Sequence, residues 1–198
     1  MAYVTAQELA DYCRNEISAD LTQFTSWAAA ASNIVEDYCG RTFVVPAAGA
    51  SATTRYYVPK GDVVFMHDIS ATTGLIVTED GTTVSSADYQ LEPRSGIDFA
   101  GRAVPYTRIV RLDTTWYADG RETTVGVTSA YWGWPAVPDR VTEATLIIGK
   151  DLAHGRETRF GVAGFGEFGV VRQRMEVNPL AAVLLDSLIR TEFTVGVA

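Results

Sequence analysis

One segment of the chain has a residue pattern that could bind either a nucleotide or another protein. Residues 160–172 read Phe-Gly-Val-Ala-Gly-Phe-Gly-Glu-Phe-Gly-Val-Val-Arg. Gly164, Gly166 and Gly169 have the Gly-x-Gly-x-x-Gly spacing of a dinucleotide-binding turn, where glycines let the backbone approach a pyrophosphate. The same residues form a glycine-rich segment with three large aromatic rings, and such a segment is ordered more readily by a partner than by itself.

The surroundings of the glycines decide against the nucleotide hypothesis. A dinucleotide-binding turn needs a strand before it, a helix after it, and an acidic residue about twenty positions further on. The sequence instead predicts a helix before the glycines, over Leu146–Ala153, and an extended segment after them, over Val170–Arg174. Glu192 lies farther away, at the end of another predicted helix. We therefore expect protein docking through the three rings, with a loop packed on itself as the alternative.

No other residues form a convincing catalytic group. His67 and Asp68 are adjacent and could handle a proton, although a surface turn after Val63–Met66 is the simpler interpretation. His154 is predicted in the last turn of its helix, where an imidazole interacts favourably with the negative end of the helix dipole. We therefore predict no catalytic residue, no cofactor and no metal site.

The composition excludes several classes of protein. The 198 residues are 47% hydrophobic, which is enough for a substantial core, and their net charge of −8 argues against sequence-independent binding to nucleic acid. Cys13 and Cys39 are too few and too far apart for a disulfide framework or a zinc site, so we expect two buried thiols in a reducing compartment. With neither a signal-peptide pattern nor a membrane-length apolar run, the sequence predicts a soluble, non-secreted protein.

The N-terminal forty residues predict two helices. Thr5 and Glu8 form a capping box at the start of the first. The second begins around Ser18 to Asp20 and ends at Gly40, which occupies the usual position of a left-handed C-terminal residue. Its predicted buried face follows the 3.6-residue period and consists of Leu21, Phe24, Trp27, Ala28, Ala31, Ile34, Val35 and Tyr38.

From Arg41 to Pro135 the sequence predicts short strands separated by turns. An Asp80-Gly81 pair favours a tight hairpin between its flanking runs, and Asp119-Gly120 is a second turn signal. Residues 47–54 and 95–103 lack periodicity and are predicted loops. The predicted strands are Thr42–Val45, Arg55–Val58, Val63–Met66, Leu75–Thr78, Ile109–Leu112 and Thr123–Ser129.

Helical patterns return after this β-rich module. Pro138-Asp139 predicts the start of a third helix that Gly155 ends, and Asn178-Pro179 predicts the start of a fourth. Their expected buried faces are Val141, Ala144, Ile148 and Leu152 in the third, and Leu184, Leu185, Leu188 and Ile189 in the fourth. The predicted fold class is α+β, a small bundle of about four helices interrupted by an antiparallel β-rich insertion. The predicted divisions are a helical body of residues 1–40 plus 136–192, an insertion of 41–135, a docking loop of 156–177 and an extended tail of 193–198.

Trp132-Gly133-Trp134-Pro135 lies where the β-rich module gives way to the third helix. Two tryptophans there can bury a large area, so we predict that Trp132 and Trp134 anchor one domain against the other. A protein–protein hot spot is the alternative, because tryptophan is enriched at such sites.

The order of these motifs resembles head–tail connector (adaptor) proteins of long-tailed bacteriophages, particularly phages of actinobacterial hosts. The matching residues are the capped helix Val4–Leu9, the end of the second helix at Ile34–Arg41, the β-region segment Asp88–Leu91, Trp132–Pro138 before a helix, and the Gly-Phe segment. The resemblance covers nearly the whole chain. It implies a non-enzymatic virion protein that forms a ring, usually of twelve subunits, below the portal.

By that resemblance, the ring extends the DNA channel without sequence-specific binding and joins the capsid to the tail. The implied partners are the portal protein and a downstream head-completion or tail-terminator protein, in the virion and, during assembly, in the host cytoplasm, with no membrane contact. Contacts with the portal or a neighbouring subunit are expected from Phe160, Phe165, Glu167, Phe168, Arg172, Arg174 and Phe193. The alternatives are another head-completion or tail-terminator ring protein, or a small ligand-binding protein or enzyme.

Overall fold

The computed structural model describes residues 2–13, 20–112, 114–116, 124–157, 162–164, 170–172 and 178–190, with only the backbone for 156, 157 and the two short segments 162–164 and 170–172. The chain divides into two compact units. A helical unit comprises Met1–Arg41 and Val137–Arg190, and a β unit comprises Thr42–Ala136. With four helices and two larger antiparallel sheets, the fold is α+β, which confirms the predicted class.

The helical unit contains α1 (Ala6–Tyr12), α2 (Leu21–Cys39), α3 (Asp139–Glu157) and α4 (Pro179–Leu185), followed by a 3-10 turn at Asp186–Leu188. Local chemistry sets the helix ends. The Thr5 hydroxyl accepts the Glu8 amide while the Glu8 carboxylate accepts the Thr5 amide, which confirms the capping box. Gly40 ends α2 in the left-handed region at φ 62°, and Asn178 with Pro179 begins α4, as predicted.

Small residues allow the helices of this unit to pack closely. Ala28 of α2 and Ala153 of α3 share one apolar cluster with Leu9 of α1, and all three are almost completely buried. A Cβ on Gly149 of α3 would lie 2.9 Å from the Leu9 Cδ1, so the two helices approach as closely as a glycine permits. Burial of these side chains supplies most of the stability of short helices.

Three helix predictions were wrong in detail. Leu21 is 53% exposed because it is the first residue of α2, ahead of the buried stripe. Gly155 does not end α3, which continues to Glu157, because a single glycine costs a helix only about 1 kcal/mol. Ile189 is exposed, because α4 gives way to a 3-10 turn and the chain is extended at that residue.

The β unit contains two antiparallel sheets. The four-stranded sheet has the order β1 (Thr53–Tyr57), β7 (Val125–Ser129), β3 (Ile76–Glu79) and β4 (Thr82–Thr83). The three-stranded sheet has the order β2 (Val63–Ile69), β6 (Tyr106–Arg111) and β5 (Tyr89–Glu92). Side chains from both sheets share one buried cluster, which includes Tyr57, Val77 and Val127 from the first and Val64, Met66 and Ile109 from the second.

The β3–β4 connection confirms the turn predicted at Asp80-Gly81. Asp80 has φ 46° and Gly81 has φ 83°, so both central residues are left-handed, as a two-residue hairpin turn requires. The predicted strand at Thr42–Val45 does not form. Phe43 is fully buried, but the segment is irregular and the Val44 carbonyl accepts the Trp134 amide instead of pairing in a sheet.

Candidate docking site

The Gly-Phe segment contains a two-stranded antiparallel sheet between α3 and α4. Its strands are β8 (Val162–Gly164) and β9 (Val170–Arg172), with Gly164 opposite Val170. Part of the predicted docking loop is therefore a hairpin, because the regular pairing satisfies its backbone groups despite the glycines. The register places Arg172 opposite Val162. The other residues predicted to dock, Phe160, Phe165, Glu167, Phe168, Arg174 and Phe193, lie outside the described residues.

This hairpin does not fit a nucleotide-binding turn. The third glycine of such a turn opens a helix whose N-terminus faces the pyrophosphate. Here Val170, directly after Gly169, belongs to β9, a strand antiparallel to β8, so no helix begins at that glycine. The two described strands of this segment therefore form an antiparallel pair rather than part of a β-α-β unit.

The predicted surface turn at His67 and Asp68 was wrong, because both residues extend β2. The His67 Nδ1 lies 2.8 Å from the Tyr57 hydroxyl, and the Tyr57 hydroxyl also accepts the His67 amide. Asp68 is buried, and its carboxylate accepts the Trp134 Nε1–H at 2.9 Å. The two side chains therefore have different structural partners and do not form a proton-handling pair.

The two predicted anchor tryptophans contact residues of the β unit. Trp134 packs against Phe43 with ring centroids 5.1 Å apart, and Trp132 donates its Nε1–H to the Thr53 carbonyl at 3.1 Å. The Arg55 guanidinium lies 4.3 Å from the Trp132 ring centroid. These contacts join segments of the β unit that are far apart in sequence. The predicted role of the two tryptophans as an anchor between the domains stays a prediction.

Cys13 and Cys39 are buried thiols of the helical unit that form no disulfide, as expected. Among the described residues, no group of three or more acidic, histidine or cysteine side chains is arranged to hold a metal ion. Nor does any helix in the described part of the chain have the length and apolarity needed to cross a membrane.

Burial raises the pKa of the Cys39 thiol to about 11, from an ordinary value of 9.0. Because the thiolate is the reactive form, alkylation of Cys39 in the folded protein at pH 8 should be about a hundredfold slower than alkylation in urea. The unfolded chain loses this proton at a lower pH than the folded chain does. The free energy of unfolding should therefore fall as the pH rises from about 9 to about 11. Equal rates of Cys39 alkylation in the folded protein and in urea, followed by mass spectrometry, would contradict the predicted difference in reactivity.

The sequence correctly predicted a loop near residues 95–103 but missed its most exposed feature. In the connection between β5 and β6, residues 93–105, the Phe99 side chain is 99% exposed, whereas Phe24 and Phe43 are buried. The neighbouring Ile97 is 48% exposed. We refer to residues 93–105 as the Phe99 loop. A signal was present in the sequence, because Asp98 precedes Gly101 and Arg102 at the spacing of a tight turn.

Asp98 holds the Phe99 loop in one conformation. Its Oδ1 accepts the backbone amides of Ala100 and Arg102 at 2.8 and 2.9 Å, and its Oδ2 accepts the Arg102 Nε–H at 2.7 Å. The Gly101 amide donates to the Asp98 carbonyl at 3.0 Å, which closes a turn with Phe99 at its second position. Hydrogen bonds from the Arg102 backbone and then its side chain hold the pKa of Asp98 below its ordinary value.

Chains with this fold occur in solved structures of gene transfer agent (GTA) particles. One, from the neck of an empty GTA particle computed with C6 symmetry, superposes with a TM-score of 0.52 at 16% identity, over 98% of this chain and 92% of that one. Another, from the virion of the native GTA particle, gives a TM-score of 0.53 at 15% identity over 98% and 92%. No protein-family model and no curated protein matches the chain. At these identities, the likeness establishes a shared fold.

Proposed function

We propose that this chain is a structural, non-enzymatic neck protein: a head–tail adaptor that forms a ring below the portal, extends the DNA channel and joins the capsid to the tail. The observation that carries the proposal is a likeness of fold that spans 98% of this chain and 92% of a chain in a GTA particle neck. A likeness of this extent includes both the helical unit and the β unit. The order of sequence motifs led to the same class of protein independently.

A ring of identical subunits accounts for the symmetry of that neck. A particle neck computed with C6 symmetry accommodates rings of six or twelve copies, and we propose twelve. The charge of the chain supports the passage of DNA through such a ring. With a net charge of −8, each subunit repels the phosphate backbone, so that DNA can move through the channel without sequence-specific binding.

The hairpin between α3 and α4 is the proposed contact with the portal or with a neighbouring subunit. Antiparallel pairing of β8 and β9 brings residues 164 and 170 together, so the segment 165–169 connects two ordered strands. That segment carries Phe165, Glu167 and Phe168. Aromatic rings at this connection bring a large apolar area that a partner can bury. We further propose docking roles for Phe160, Arg172, Arg174 and Phe193, and a downstream head-completion or tail-terminator protein as the second partner.

Electron microscopy of particles that carry an epitope-labelled chain tests the location. We expect one ring of labels immediately below the portal, in the virion and on tailless heads assembled in the host cytoplasm. A ring one layer lower would identify another head-completion or tail-terminator protein instead. Particles with no label in the neck would overturn the proposed function.

A further inference from the structure

We propose that the Phe99 loop of one copy docks on an uncharged face of the four-stranded sheet of a second copy. This inference rests on the proposed function, because a ring requires each subunit to meet its neighbour through two different surfaces. The observations that carry it are a protruding ring on a preformed loop, an exposed apolar sheet face, and the distribution of charge between them.

The Phe99 loop is prepared for insertion into another surface. Its ring is 99% exposed, so its full apolar area is available for burial on binding. The backbone around it is already fixed by the Asp98 hydrogen bonds and by a further pair, from Asp98 N to the Arg102 carbonyl and from Val104 N to the Gly96 carbonyl, both 2.9 Å long. Preorganisation of this kind lowers the entropy cost of docking.

The outer sheet face is defined by alternate residues of the strands β1, β7, β3 and β4. The register places Tyr56 opposite Gly126 and Ile76 opposite Thr128, on the side away from the buried Tyr57 and Val77. Tyr56 is 70% exposed and Ile76 is 48% exposed. The complete face, including Val58 just beyond β1, is Thr54, Tyr56, Val58, Ile76, Thr78, Thr83, Gly126 and Thr128, and none of these side chains is charged.

This face offers an apolar surface that a protruding ring can cover. Val58 beside Tyr56 is 60% exposed, so a second apolar side chain extends the patch beyond the end of β1. The hydroxyls of Thr54 and Thr128 lie 2.7 Å apart and bond to each other. Because these polar groups already have partners, a docked phenylalanine would leave them satisfied.

The distribution of charge favours a second copy of this chain as the partner. The Phe99 loop carries Arg94 and Arg102 against Asp98, a net charge of +1, whereas the whole chain carries −8. A loop of positive charge is attracted to an acidic neighbour. The sheet face itself is uncharged, so docking desolvates no charged side chain of that face. Different surfaces on the two partners produce a head-to-tail contact, which closes into a ring when the rotation permits.

Site-specific photocrosslinking of the purified full-length chain tests this contact. With p-benzoylphenylalanine at position 99, we expect a covalent dimer whose adduct maps by mass spectrometry to residues 53–58 or 76–78. The same probe at Thr22, an exposed position on α2, is the control for random collision and should give at least about tenfold less of this adduct.

A charge on the receiving face provides a second measurement. Tyr56→Lys in the position-99 probe background should reduce the dimer by about tenfold or more, because docking would then bury an ammonium on a face whose side chains carry no charge to pair with it. Thr22→Lys adds the same charge elsewhere and should leave the yield unchanged. An absent dimer, an adduct outside the sheet face, or an unchanged yield with Tyr56→Lys would overturn the inference. A ring seen below the portal without this dimer would overturn the inference alone, and the dimer without a neck location would overturn only the proposed function.

Discussion

Replacing Phe165 and Phe168 by serine is expected to leave a folded subunit that cannot join heads to tails. Both residues lie in the segment that connects β8 to β9, between α3 and α4. Because each ring has a glycine next to it, we expect this segment to contribute little to the folding of either unit, so the thermal unfolding temperature should change little. Particles should instead accumulate as separate heads and tails, counted by electron microscopy and by infectivity.

The expected effect is large because the loss is repeated around the ring. Burial of one phenylalanine contributes about 1.5–3 kcal/mol, so two rings account for about 3–6 kcal/mol per subunit. This corresponds to roughly two to four orders of magnitude in affinity at each contact. A ring engages its partner through many such contacts at once, so the total loss of avidity is greater still.

The matched control replaces the same two phenylalanines by tyrosine. The double variant Phe165→Tyr with Phe168→Tyr keeps both aromatic rings and adds a hydroxyl to each. It therefore tests whether an aromatic ring at each position is sufficient for joining heads to tails. We expect it to restore joining to within about tenfold of the native level, since the apolar area is largely retained. Normal tail attachment by the double serine variant would contradict the docking role of the hairpin connection.

Gly133→Ala should destabilise the β unit more than a glycine-to-alanine change at any other glycine that the structure describes in that unit. Gly133 has φ 131°, and a Cβ at this position would overlap the Val44 carbonyl oxygen. That same oxygen accepts the Trp134 amide at 2.8 Å. The clash would therefore also break the hydrogen bond that joins the segment at Val44 to the segment at Trp134. The Val44 carbonyl belongs to the backbone and the new Cβ is bonded directly to the backbone at position 133, so neither can move aside as the end of a flexible side chain would. We expect a loss of about 3 kcal/mol or more in the free energy of unfolding, measured by urea denaturation.

Gly74→Ala is the control for this substitution. Gly74 also has a positive φ, of 68°, but its Cβ would have no heavy atom within 4 Å. The expected cost there is about 1–2 kcal/mol, which is the cost of the left-handed conformation alone. Equal losses in the two variants would show that the contact with Val44 is unimportant.

Features that depend on neighbouring residues were predictable from the sequence. The capping box at Thr5, the left-handed end of α2 at Gly40 and the Asp80-Gly81 turn each use side chains or φ angles within a few residues. The same is true of Asn178 with Pro179 at the start of α4. Each of these predictions was confirmed, because the physics that specifies them is local.

Features that depend on distant residues were not predictable in the same way. The Thr42–Val45 segment has strand-forming residues, yet Trp134, about ninety positions later, takes the Val44 carbonyl as its partner. β5 escaped prediction as a strand because it has only four residues, and the apolar–polar alternation of Tyr-Gln-Leu-Glu is too short to stand out from its surroundings. Buried Asp68 in β2 is explained by the Trp134 indole, which the local sequence does not reveal.

The candidate docking residues show the same division. Glycines and phenylalanines in residues 160–172 predicted a protein-docking segment, but their spacing did not predict the antiparallel pairing of β8 with β9. The spacing of Asp98, Gly101 and Arg102 indicated a tight turn, but it did not indicate that the Phe99 ring within that turn is uncovered. Its ring is 99% exposed on the loop that Asp98 closes.

The insertion of the β unit between α2 and α3 has a consequence for synthesis of the chain. α2 and α3 contribute to one apolar cluster, through Phe24, Ala28 and Ala153, although about a hundred residues separate the end of one helix from the start of the other. A ribosome therefore releases α1 and α2 well before their packing partner exists, with their apolar stripes uncovered. The β unit has all its strands in one continuous stretch and can fold while synthesis continues. By closing upon itself, it would draw the two halves of the helical unit together and reduce the entropy cost of joining them.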